Sequence, residues 1–117
     1  MKEFALIFRM DILTEEKQPE PKQMAAYMRD WEKWIDWIAD QGKLAEGGSH
    51  FSPTGKVLRP NDIANDGPYE VCNESVAGYI NILASNIEDA VKIAKRCPIL
   101  AGEGTSVEIR ETAAPGK

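Results

Sequence analysis

The chain has one histidine, two cysteines and no run of basic residues longer than two, and each scarcity narrows what the protein does. With a single imidazole at His50, and with Cys72 and Cys97 lying 25 residues apart without a Cys-x-x-Cys pair, a zinc site of the common type lacks ligands. No metal and no organic cofactor are expected. Two cysteines so spaced read as free thiols in a reducing cytoplasm. Cys72 has neither a helix start nor a basic neighbour to activate it as a nucleophile.

Positive charge is scarce and scattered. A net charge of −5 and a pI near 4.9 argue against direct nucleic-acid binding, which needs a basic stripe to displace counterions, and against an anionic membrane surface. The opening segment Met1–Asp11 carries too few apolar residues to span a bilayer, and no small-residue cleavage site follows it. The expected location is the cytoplasm.

What is present is the composition of an ordinary globular protein. At 117 residues, with 43% hydrophobic and 28% charged residues, the chain is expected to form one domain over residues 1–112, followed by a flexible tail over 113–117. Such a domain buries one modest core, so an uncovered sheet face would invite a partner.

The unbroken apolar run Phe4-Ala5-Leu6-Ile7-Phe8 predicts a central strand over Lys2–Met10, covered on both faces. A polar loop with two prolines follows over 14–21. Met24, Tyr27, Met28, Trp31, Trp34, Ile35 and Ile38 then recur at intervals of three and four, predicting a helix from about Lys22 to Gln41 that Gly42 stops. Trp37 falls at the edge of that stripe, a position that suits an interface or a pocket rim.

Short strands are predicted at Lys43–Glu46 and Lys56–Arg59, with a close-approach bend at Gly47-Gly48 between them. Asn65-Asp66-Gly67-Pro68 reads as a turn. A long strand is predicted over Ser75–Ala84. Val76, Gly78, Ile80 and Ile82 would lie on one face and Ala77, Tyr79 and Leu83, with polar Asn81, on the other. Ser85 with Glu88 forms a capping-box pattern for a second helix ending at Cys97-Pro98. Thr105–Glu111 is the last strand.

This order predicts an α+β fold, the ferredoxin-like β-α-β-β-α-β arrangement, with both helices on one face of a four-stranded, mainly antiparallel sheet. The other face is left apolar, and covering it with a second copy would give a homodimer in the form of a dimeric α+β barrel.

Asp66-Gly67-Pro68-Tyr69 carries a resemblance that extends along nearly the whole chain. With Glu74, Gly78-Tyr79, Glu88-Asp89-Ala90, Cys97-Pro98 and Val107-Glu108-Ile109-Arg110 in order, the sequence resembles the YCII-related family. The branch is the one named for an Asp-Gly-Pro-Phe motif, with Tyr69 in place of phenylalanine. The resemblance implies a dimeric α+β barrel with a pocket between sheet and helix, and little about activity. Some relatives look like lyase- or dehydrochlorinase-type enzymes and others accompany sigma factors. Better-studied members begin the first helix with a histidine paired to an aspartate. Here that position reads Pro21-Lys22-Gln23-Met24, so the couple does not carry over.

Candidate catalytic residues are His50, Asp66 and Glu74. An imidazole titrates near neutrality, and two carboxylates brought together push one pKa upward into the acid/base range. Candidate substrate-binding residues are Trp34, Tyr69 and Tyr79, which offer aromatic faces with polar tips, and Arg59, which could take a substrate carboxylate, as could Arg110. Two functions follow. One is a cofactor-independent acid/base enzyme acting on a small aromatic or apolar molecule. The other is a non-catalytic ligand-sensing or sigma-factor-associated module.

Overall fold

The computed structural model describes residues 1–11, 20–60, 63–71 and 74–113, and of 63–65 the backbone alone. Cys72, most of the proline-containing loop and residues 114–117 of the tail lie outside the described residues.

Among the described residues, six strands and two helices follow one another as β1 (Lys2–Met10), α1 (Pro21–Asp40), β2 (Leu44–His50), β3 (Gly55–Arg59), β4 (Ile63–Gly67), β5 (Ser75–Ala84), α2 (Ile87–Ala94) and β6 (Ser106–Glu111). A 3-10 turn at Pro98–Ala101 precedes β6. Four strands form one antiparallel sheet in the order β2-β5-β1-β6, while β3 and β4 pair only with each other. The main sheet and its two helices have the β-α-β-β-α-β order expected, with the β3–β4 hairpin inserted before β5.

Local chemistry explains the ends of α1. Glu20 and Gln23 form a reciprocal capping box, and Pro21 takes the first helical position, where no N–H is needed. At the other end Gly42 adopts a positive φ of 69°; its N–H donates to Ala39 O and the Lys43 N–H to Ile38 O, the Schellman pattern. α2 is capped one residue later than the Ser85–Glu88 pattern predicts. The Asn86 side chain accepts from the Asp89 N–H at 2.8 Å, and the Asp89 carboxylate accepts from the Ser85 N–H at 3.1 Å. Asp89 is then anchored by Lys43 at 3.3 Å, a tertiary partner that a local pattern does not reveal.

Both helices pack on one sheet face. Phe4, Leu6 and Phe8 of β1 and Ile82 and Ala84 of β5 are buried there against Trp34, Ile38, Ala90 and Ile93. β1 is therefore central but covered by the helices on one side only, and Ala5 and Ile7 on its other side remain half-exposed. The alternation predicted for β5 breaks at its start. Phe8 faces Gly78 but Arg9 faces Val76, so a bulge around Ala77 carries Val76 to the open face and returns Ser75 to the core.

Asn65-Asp66-Gly67 is not a turn. These residues are the end of β4, paired with Val57, Lys56 and Gly55, and only Pro68 leaves the strand. Cross-strand pairing outweighs the local turn preference, with the Lys56 ammonium 2.6 Å from the Asp66 carboxylate. The Gly47-Gly48 bend lies inside β2, where both glycines have positive φ and the pairing register with β5 slips.

Candidate functional site

Where β1 ends and β5 and β6 begin, the first turns of α1 stand off the sheet. Only Trp34 and Ile38 of this helix are fully buried, whereas Met24 and Met28 near its start are exposed. Between those first turns, the end of β1 and the chain after α2 lies a cleft of about 680 Å³, within the usual size of a small-molecule site.

Its apolar surface comes from Met10, Pro98, Ile99 and Ala101, and its polar groups from Asp11, Gln23, Tyr27, Glu103 and Thr105. Gln23 and Tyr27 sit one helical turn apart and so project from the same face of α1. The Thr105 hydroxyl lies 2.7 Å from Ile99 O and 2.9 Å from Gly102 O, which ties the wall after the 3-10 turn into a closed loop. Tyr27 is half-buried, its ring edge-on to Trp31 at 5.9 Å between centroids. Burial pushes its phenol above the usual range, and the nearby Cys97 thiol adds to this against a hydrogen bond with Trp31. The phenol is consequently a proton-bearing donor at any physiological pH.

The residues singled out from sequence lie elsewhere. His50 is exposed at the end of β2, opposite Gly78. Asp66 is on the hairpin, its carboxylate exposed and ion-paired with Lys56. Glu74, half-buried just before β5, accepts from the Ser106 hydroxyl at 3.0 Å across β1. No hydrogen bond or ion pair joins these three among the described residues. Along β5, Glu74 is four positions from the residue facing His50, which is roughly 13 Å of strand.

Trp34 is a core residue, 4% exposed, and its indole N–H donates to Ile93 O at 3.1 Å. Tyr69 is exposed beside the hairpin, with the Arg59 guanidinium 5.7 Å from its ring centre. Tyr79 lies on the open sheet face, 6.0 Å from Phe51. Arg110 pairs with Glu108 on that same face, and Arg9 pairs with the other oxygen of Glu108. These two guanidiniums, Arg9 first, hold the Glu108 carboxyl below its usual range. Trp37 is half-buried, with Arg96 stacked 4.2 Å above its ring, and it does not line the cleft.

Sequence reasoning missed the cleft residues Asp11, Gln23, Glu103 and Thr105, and took Tyr27 as part of a stripe packed along the whole helix. The available signal was the i, i+4 pairing of Gln23 with Tyr27, which puts a polar group on an otherwise apolar face.

Among the described residues no three His, Cys, Asp or Glu side chains converge as a metal site, and no helix is long and apolar enough to cross a membrane. No family model matches the chain, and no curated protein matches it.

Proposed function

We propose that this chain is a YCII-related domain of the Asp-Gly-Pro-Phe branch, a homodimer that binds a small, largely apolar molecule in the cleft beside α1 and senses it without turning it over. The observation that carries the binding role is the cleft itself, with an apolar lining and a few polar groups drawn from α1, β1 and the wall before β6. The family assignment is supported by the ordered motif set and by helices packed on one face of the sheet.

Ligand sensing fits the arrangement better than acid/base catalysis. Neither His50, Asp66 nor Glu74 lines the cleft, and the two carboxylates are held by Lys56 and Ser106 outside it.

Two features support pairing with a second copy. The open sheet face carries Ala5, Ile7, Val76, Tyr79 and Leu83, all partly exposed. The β3–β4 hairpin leaves Leu58 73% exposed, and a two-stranded ribbon is marginal in water without a surface to lie on.

Methyl NMR with the methionines labelled tests the binding role. Uncharged aromatic fragments such as indole are expected to shift the Met10 signal, and Ala101→Trp, which fills the cleft, is expected to abolish the shift. Fragments that move only other methionines, or that still move Met10 in Ala101→Trp, would refute it.

A further inference from the structure

We infer that the cleft holds its ligand by a carbonyl group, whose oxygen accepts hydrogen bonds from the side chains of Gln23 and Tyr27. The inference rests on the small-molecule reading of the cleft given above. It names the one polar feature that the apolar ligand carries.

Bonds within the protein already orient the polar groups of the wall. The Gln23 amide oxygen accepts from the Glu20 N–H at 3.0 Å, closing the capping box at the start of α1. With its oxygen turned to the cap, this side chain offers its NH2 group as a donor. The Tyr27 phenol is engaged in the same sense. Its hydrogen bond with Trp31 runs one way, because an indole N–H donates and has no lone pair to accept with. That bond occupies the phenol oxygen and leaves the O–H to donate.

Gln23 and Tyr27 stand one turn apart on α1 and both line the cleft, so one helix face presents two donors. The segment after the 3-10 turn is polarised the other way. The Thr105 hydroxyl hydrogen is directed at Ile99 O and Gly102 O, 2.7 and 2.9 Å away, which leaves that hydroxyl only lone pairs to offer. Glu103, exposed beside it, is an acceptor too. A ligand carbonyl is therefore drawn to α1 rather than to this loop. Its oxygen has two lone pairs and no proton, so it can take both donors at once. Met10, Pro98 and Ile99 would cover the apolar body.

Two uncharged fused-ring probes separate acceptor from donor at matched shape: 1-indanone, with a carbonyl on its five-membered ring, and indole, with an N–H there. Each is titrated into the intact protein and followed at the Met10 methyl. 1-Indanone is expected to bind at least about five-fold more tightly, the effect of one net hydrogen bond of ordinary strength. Gln23→Glu keeps the oxygen that caps α1 and replaces the NH2 donor by a second oxygen. Tyr27→Phe keeps the ring packed edge-on to Trp31 and removes the O–H. Each substitution should narrow the gap by weakening 1-indanone while indole binds no less tightly.

Equal binding of the two probes, or tighter binding of indole, overturns the carbonyl inference while the pocket reading stands. If neither probe shifts Met10, the pocket reading falls and the carbonyl inference with it. A preference for 1-indanone that survives unchanged in either variant also overturns the inference, since the carbonyl would then be held by other groups.

Discussion

Cys97 sits beneath the junction of α2 and the 3-10 turn, 3% exposed, and burial pushes its thiol from an ordinary value of 9.0 up to about 12. The physical cause is the penalty for placing a thiolate in an apolar surround, only partly offset by a backbone hydrogen bond from Ile99. A group that holds its proton more tightly when folded contributes stability that is whole below the unfolded pKa and is lost as pH rises through the folded one. The stability of the protein is therefore expected to fall between pH 9 and about 12, and Cys97→Ala should flatten that decline. Urea midpoints measured across this range for both proteins check it, and identical slopes would contradict the assignment. At this scale the sequence was informative about residue type and less so about partners. Asn86 rather than Ser85 caps α2, and the carboxylate of Asp89 is held by Lys43, 46 residues away.

Among the elements, the contact of β2 with β5 depends on a residue with no side chain. A Cβ on Gly78 would come within 2.5 Å of Ser49 O and 3.2 Å of the His50 Cα, both main-chain atoms that cannot rotate aside. Gly78→Ala is expected to push the end of β2 off the sheet at a cost of about 1–3 kcal/mol, the range for forcing an extra methyl into a packed site. Amide hydrogen exchange should quicken around Ser49 and His50 while β1 and β6 keep their protection. Unchanged exchange in β2 would count against this geometry. The two helices were legible because their apolar periodicity and the Gly42 stop are local, while the cap of α2 lies one residue beyond the local pattern. The hairpin was not, because Asn65-Asp66-Gly67 is a strong turn signal in isolation and becomes a strand only through its pairing with β3.

For the whole molecule, the proposed dimer turns on the open sheet face. Ile7, at the centre of β1 and flanked there by Tyr79 of β5 and Glu108 of β6, would be covered if two copies met through this face. Ile7→Arg is expected to convert a dimer into a folded monomer, since it places a bulky, charged side chain in the middle of the apolar part of the interface and leaves the helix-covered core untouched. Sedimentation at several concentrations with a circular-dichroism check of folding reads this directly. A wild-type chain that sediments as a monomer, or an Ile7→Arg protein that remains dimeric, would remove this face as the interface.

The sequence by itself determined the two helices, the strands β1, β5 and β6 and their order, because helix periodicity and apolar runs are properties of neighbouring residues; the single buried side of β1 and the strand β4 came only with the packing. It also determined the acidic balance that disfavours nucleic acid. Only the tertiary structure decided which polar groups share a cleft. Met10, Tyr27, Ile99 and Thr105 come from four segments that meet where α1 stands away from the sheet, and a gap between packed elements leaves no periodic mark in any of them. The same reasoning explains His50, Asp66 and Glu74, whose chemistry was plain in the sequence. Their separation was not, because it depends on where β2, the hairpin and the start of β5 lie relative to one another.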